Sequence, residues 1–444
     1  MKTEDILIRL VPLFIKQRLE NKNNLVKIIT NTGWLFADRI LRMGIGLFVG
    51  LLVARYLGPE QFGIYNYAIA FVALSGTLAT LGLDSIVIRD IVNEPACKDK
   101  TLGSAFVMKL IGGLSTLVMS ILFVSLIQPE DILTLILVSI IATGLVFQSF
   151  DVIDFWFQSQ IKSKYTVYAK NSAFLFISIV KIGLIHYQAP LVAFALAGLA
   201  EILMGAMGLI IVYQKNNTIK DWQFSLDRAK DLIKESWPLI LTGVVITIYM
   251  KIDMVMLGLM IDSSEVGYYT IAVQLSEVWY FIPSIVLISL YPSFVKIYNE
   301  NEKLYTQRLQ EVMGYFFWGS LILSLILIFA ADKIIYILYG PSYLPAANIL
   351  KIHILSSIVV NMSVIFSHRY TLNKTLKISF YGAFIGAITN VALNMWLIPS
   401  YAGVGAAIAT VISYITPIIV QTIFFDRSIG AIFVRSIFMI LRKR

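Results

Sequence analysis

Runs of roughly 18 or more apolar residues, each long enough to cross about 30 Å of hydrocarbon as a helix, recur along the whole chain. Few folds tolerate that pattern. Helices that are apolar all round have no polar face to turn toward water, so they need a lipid solvent or a very large core. The runs are continuous rather than alternating, which excludes a transmembrane β-barrel. A composition of 58% hydrophobic and only 14% charged residues also lies outside the range of soluble globular chains.

Twelve spans are expected, at about 32–54, 64–87, 102–127, 132–153, 168–187, 190–213, 237–260, 266–290, 310–331, 346–368, 377–397 and 402–425. The fold class is therefore an all-α polytopic membrane protein, with twelve transmembrane helices in two six-helix bundles around a central cavity. Residues 1–31 are expected to form an N-terminal cytoplasmic interfacial segment, and 426–444 a basic cytoplasmic tail that lies at the interface in the same way. The N-terminal lobe covers 32–213, a cytoplasmic linker 214–236, and the C-terminal lobe 237–425.

Charge gives the sidedness. Counting residues at the span edges with the connections, 28 Lys and Arg fall on the side of the termini and only Arg55 and Lys333 on the other. That asymmetry predicts both termini in the cytoplasm. The net charge of +9 then describes an inner face beside anionic lipid, not a nucleic-acid surface. Cys97 is the chain's one cysteine, so no disulfide and no metal pair of cysteines is expected. His186, His353 and His368 stand on separate spans without metal-ligand spacing. Without a Gly-rich phosphate loop, ATP hydrolysis is not expected, and no cofactor is implied.

Six cations sit inside the apolar runs: Arg39, Arg42, Lys109, Lys181, Lys251 and Lys351. At roughly 2.5–3.5 kcal/mol each near mid-bilayer, they imply a penalty on the order of 15–20 kcal/mol unless they meet water, an acid or an anionic ligand. Their depths form a ladder, with Arg39 and Arg42 about 10–15 Å from the inner end and Lys351 approaching from the outer side. One reading gives them a shared aqueous path for an anionic substrate. The other gives each a local acid. Snorkelling toward headgroups would suit Lys109 and Lys351.

Buried acids are fewer. Asp38 can pair with Arg42 one turn along the helix. Asp253 is about 200° round from Lys251 and so faces different neighbours. Glu201 and Glu277 stand mid-span. Together, Asp38, Glu201, Asp253 and Glu277 are the candidates for coupling to an ion gradient, and the alternative for the two glutamates is neutralisation of Lys181 or Lys251.

An internal repeat supports two halves. A shift of 204 lays Gln61-Phe62-Gly63-Ile64-Tyr65 over Glu265-Val266-Gly267-Tyr268-Tyr269. Six plus six spans in one orientation imply parallel halves related by an axis along the membrane normal. Small residues such as Gly46 and Gly50, or Gly382 and Gly386, predict close helix contacts. Pro283 and Pro417 are expected inside spans, where each removes a backbone hydrogen bond.

Ala54-Arg55-Tyr56-Leu57-Gly58-Pro59-Glu60-Gln61-Phe62-Gly63-Ile64-Tyr65, followed by Gly82-Leu83-Asp84-Ser85 and Ile88-Arg89, resembles the signature of Wzx-type polysaccharide flippases. These form the polysaccharide branch of the multidrug/oligosaccharidyl-lipid/polysaccharide superfamily. The resemblance implies a bacterial inner-membrane protein that flips an undecaprenyl-diphosphate-linked oligosaccharide, such as an O-antigen repeat unit, by alternating access. It implies a proton or sodium ion as driver, membrane lipids as surroundings, and a polysaccharide polymerase and chain-length regulator as partners. The family's variable sequences transfer no diphosphate site residue by residue. Rival readings are an ion-coupled multidrug or small-solute exporter, which would want an acid-dominated cavity, and a membrane polysaccharide polymerase or ligase, which would want a large outer loop.

Overall fold

The computed structural model describes residues 23–215, 217–373 and 375–439, and every element among them is helical. The interfacial reading of the N-terminus falls largely on residues 1–22, outside the described residues. Ten helices among the described residues are long and apolar enough to cross a membrane, and two of these are broken, at Gly58 and at Ala402.

The chain divides into two compact units, one drawn from Met1–Tyr56 and Ser75–Val244, the other from Leu57–Leu74 and Val245–Arg444. The first unit contains the start of α1 (Asn23–Thr80), then α2 (Asp84–Asn93), α3 (Lys98–Ile127), α4 (Ile132–Phe147), α5 (Val152–Ser159), α6 (Lys164–His186), α7 (Leu191–Gln214) and the beginning of α8 (Leu226–Met260). Its core gathers Leu83, Val87, Leu102, Ile153 and Tyr213. The second unit contains the middle of α1, the end of α8, then α9 (Ser263–Glu277), α10 (Phe281–Glu300), α11 (Glu302–Tyr339), α12 (Pro345–His353), α13 (Ser356–Leu372), α14 (Leu376–Phe424) and α15 (Ser428–Met439). Tyr305, Leu309, Met313 and Ile365 lie at its centre.

Local chemistry starts and stops these helices. Asp131, Asp262 and Asn301 accept hydrogen bonds from the amides of Thr134, Glu265 and Leu304 at 2.9–3.0 Å, satisfying donors that a helix N-terminus otherwise leaves free. At the first break Gly58 takes φ 71°, a left-handed backbone that costs glycine little, and Pro59 then opens the next helical segment. Large apolar side chains stay outside: Phe329 is 85% and Leu126 77% exposed. Water would not tolerate so many, whereas hydrocarbon makes them the favoured surface.

The repeat has a physical counterpart inside the second unit. A Cβ at Gly63 would overlap the carbonyl of Ser263, and a Cβ at Gly267 would overlap the carbonyl of Pro59. Ser263 is the repeat mate of Pro59, and Gly267 the mate of Gly63, so the contact is reciprocal. Two helix starts cross there at backbone distance because neither carries a side chain at the crossing.

Several expectations need correction. The second span stops at Thr80, where Leu81 and Gly82 turn with positive φ before α2 begins separately at Asp84. α8 runs from Leu226 through Pro238 to Met260, so the helix that carries the seventh span begins within the 214–236 connection. Pro283 and Pro417 do lie inside apolar spans, Ser263–Leu287 and Lys377–Phe424; Pro283 falls in the first turn of α10, where a missing N–H costs little, and Pro417 lies in α14 without non-helical backbone around it. The α14 break is at Ala402, at φ 47°, and the next amide, Gly403 N–H, donates to Glu265 Oε2 at 2.9 Å. No neighbour lies within 4 Å of a Cβ built at Gly50, and only Phe174, at 4.0 Å, meets one at Gly46. These two glycines therefore make no close helix contact, whereas Gly382 and Gly386 press on Gln421 and Pro417. Within the 426–444 segment α15 packs on the second unit, where Ile429, Ile432 and Phe433 are buried in the core and Trp318 donates its indole N–H to Ile437 O at 3.0 Å; residues 440–444 fall outside the described residues.

Candidate functional site

In the first unit, charges from three helices meet. Arg42 on α1 pairs with Asp38 one turn earlier, at 3.0 Å, and lies 5.0 Å from the Phe174 ring of α6. Glu201, on α7, bridges two cations: one oxygen is 3.8 Å from Arg42 and the other 3.7 Å from Lys181. Each of these groups keeps about a quarter of its side chain exposed, so the chain Asp38–Arg42–Glu201–Lys181 is part-solvated and rearranges at modest cost.

Beside it Lys170, on α6, pairs with Asp151 at 2.8 Å and Asp154 at 3.4 Å. Arg42, Gln148, Asp151, Lys170, Glu201 and Gly205 line a cavity of about 160 Å³. Lys109 is 4% exposed. Its ammonium stands 4.9 Å from the Phe155 ring, within electrostatic reach of Asp151 and Asp84. The snorkelling expected of it does not occur, because the stem is buried among these neighbours. The cavity wall is thus mixed in sign, its cations held by acids.

Elsewhere in the same unit, Arg89 of the Ile88-Arg89 motif pairs with Asp90 and with Glu235 of α8. Arg228, from the start of α8, meets Asp90 at 2.7 Å and Thr101 at 3.1 Å. This cluster clamps α2, α3 and α8.

Three of the expected cations are placed differently. Arg39 is exposed. Lys351, in the second unit, pairs with Asp332 at 2.7 Å, an acid that is 61% exposed. Lys251 is half-buried, and the acid that feels its charge is Glu277.

Asp253 has a different environment. It is 3% exposed and accepts from Tyr269 Oη at 2.6 Å, Thr410 Oγ1 at 2.8 Å and Asn394 Nδ2. Asn394 also donates to Asn390. Every direct partner is neutral. Asn394 Oδ1, buried as well, makes no hydrogen bond. Sequence reasoning singled out Asp253 but missed its cage, and it missed Lys170, which stands close to a span edge and reads as part of the basic inner face.

Ten long apolar helices among the described residues, with large apolar side chains on their exposed faces, define a multi-pass membrane protein. The chain belongs to the family described as polysaccharide biosynthesis protein, which matches residues 28–298. It is 23% identical to the capsular polysaccharide biosynthesis protein CapF of Staphylococcus aureus over 90% of this chain and 100% of that one. It is also 24% identical to the probable low-salt glycan biosynthesis flippase Agl15 of Haloferax volcanii, over 43% of this chain and 40% of that one. Among solved structures, the lipid II flippase MurJ in an inward closed conformation aligns over 93% of this chain and 92% of its own, with a TM-score of 0.73 and 20% identity. An inward-facing multidrug transporter of the MATE family aligns over 88% and 95%, with a TM-score of 0.64 and 14% identity. At those identities the likeness is one of fold.

Proposed function

We propose that the protein flips a lipid-linked oligosaccharide across a bacterial inner membrane by alternating access, and that the cargo is an undecaprenyl-diphosphate-linked repeat unit of O-antigen or a related polysaccharide. Reading each broken helix as two crossings gives twelve, and the basic asymmetry of the connections then sets both termini in the cytoplasm. Relatives named for capsular polysaccharide synthesis and for glycan flipping support this cargo class over drugs or small solutes. The reading is of a transporter and not an enzyme. A polysaccharide polymerase and a chain-length regulator would act on what it delivers.

The observation that carries the reading is the Glu201 bridge between Arg42 and Lys181 beside the first unit's cavity. A diphosphate offers the same cations more oxygen acceptors than one carboxylate does. It can therefore take Glu201's place, and Glu201 can reclaim the cations when it leaves. Moderate, exchangeable pairing suits transport, because a headgroup held too tightly would not depart.

Coupling is assigned to Asp253. Glu201 and Glu277 have cationic neighbours, whereas Asp253 is met only by neutral donors. A carboxylate is an oxygen ligand of the kind a hard cation takes, and a proton on the carboxyl would serve the same neutralising end. The test is complementation in a polysaccharide-producing host that lacks its own flippase. Wild type should restore surface polysaccharide, while Arg42→Ala and Lys181→Ala should insert normally and restore none. Full restoration by both variants would refute the cationic path.

A further inference from the structure

The second unit holds a cavity of about 370 Å³ that the charge networks do not touch. Six aromatic residues line it: Tyr249, Tyr280, Phe366, Tyr370, Tyr414 and Phe433. Four tyrosines suggest at first a site for hydrated sugar, but the hydroxyls of three of them are committed elsewhere. Tyr249 Oη donates to Ser413 O at 2.8 Å, and Tyr280 Oη shares a hydrogen bond with Ser356 Oγ at 2.7 Å. Tyr370 Oη donates to Gln421 Oε1, and the amide of Gln421 is spent in turn on Ile378 O. Ser367 returns its proton to Val364 O of its own helix at 2.6 Å. What these side chains leave to the cavity is ring carbon.

A sugar in such a site would lose its water and find few polar partners, which is unfavourable. A hydrocarbon chain would lose nothing. The cavity also has an apolar lip: Ile246 and Met250 line it and are 44% and 39% exposed, so a chain can enter without crossing a polar collar. From this chemistry we infer that the cavity binds isoprenoid chain, namely a headgroup-proximal stretch of the cargo's polyprenyl tail. The inference rests on the flippase reading and adds to it a tail subsite built from α8, α13 and α14. Methyl branches along an isoprenoid give the aromatic walls more carbon to touch than a straight acyl chain does, and van der Waals contact with ring faces is the means of selection.

The experiment uses the full chain in proteoliposomes, with undecaprenyl phosphate carrying a diazirine on its first isoprene units and, separately, a diazirine-bearing phosphatidylglycerol. Polyprenyl label is expected in peptides covering 246–250, 359–370 and 414–421, competed away by unlabelled undecaprenyl phosphate and not by phospholipid. Equal labelling of these peptides by the phospholipid would make the cavity an ordinary lipid site and overturn the inference. Ala383→Trp and Val360→Trp, which fill the cavity, should each lower flipping of lipid-linked oligosaccharide by about tenfold, the worth of one or two lost methylene contacts. Phe329→Trp, on the lipid-facing surface, should leave it unchanged. If wild type flips but carries no polyprenyl label in these peptides, or if both filling variants flip normally, the tail subsite is wrong and the flippase reading stands. If wild type does not flip, the reading falls and the inference with it.

Discussion

The two units handle buried charge in opposite ways. In the first, cations and acids answer each other: Asp38, Arg42, Glu201 and Lys181 form one chain, and Asp151, Lys170 and Asp154 another. In the second, the most deeply buried acid, Asp253, is met by hydroxyls and an amide, and the nearby cavity is walled with rings. Ion pairs that are part-exposed exchange partners cheaply. A buried carboxylate without a counter-charge is costly, and that cost falls when a proton or a cation arrives. The first arrangement suits the grip and release of an anionic headgroup, and the second suits a response to a small cation.

The largest effect should come from emptying the cage. Asp253→Ala leaves Tyr269, Thr410 and Asn394 without their acceptor, at about 1–3 kcal/mol for each buried group left unsatisfied. A thermal unfolding midpoint several degrees lower in detergent is expected, with loss of any ion stimulation of transport. Asp253→Asn should keep most of the stability and lose the ion response. Equal midpoints for wild type and Asp253→Ala would show that the cage donors find partners elsewhere.

Glu201→Gln should act less on stability, by about 1 kcal/mol or less, because its ion pairs are part-exposed. Its effect should appear in binding. With the competing carboxylate gone, Arg42 and Lys181 should hold a diphosphate headgroup more tightly and release it more slowly. Unchanged affinity, measured by titration with a soluble isoprenyl diphosphate, would break the exchange account. The smallest effect belongs to Lys351→Met. Its partner Asp332 is 61% exposed, so stability should move by no more than about 0.5 kcal/mol. Flipping should not change.

The same contrast explains what could be read from the residues alone. Continuous apolar runs announce the helices, and Leu57-Gly58-Pro59 announces the first break, since both signals are local. The repeat is thin in identity but real in space, because Gly63 and Gly267 meet the backbone of each other's helix starts. Pairing of Arg42 with Asp38 follows from helical spacing, and Glu201 as a neutraliser of Lys181 was one of two open readings. Asp253's cage was out of reach: Asn394 and Thr410 stand 141 and 157 residues away in the chain and carry no charge to mark them. Lys170 was hidden by its neighbours, one more basic residue beside Lys162 and Lys164 until folding sets Asp151 against it. The packing of α15 was masked by Arg435, Arg442, Lys443 and Arg444, whose charges suggest an interface although Ile429, Ile432 and Phe433 turn inward.

The central claim is that the first unit's paired cations carry the headgroup of a lipid-linked oligosaccharide. Its most direct test is a reconstituted assay in which a fluorescent undecaprenyl-diphosphate-linked oligosaccharide starts in one leaflet and its arrival in the other is followed by quenching. Wild type should equilibrate the lipid, Arg42→Ala and Lys181→Ala should not, and Lys351→Met should match wild type. Transfer at the wild-type rate by both Arg42→Ala and Lys181→Ala would contradict the account.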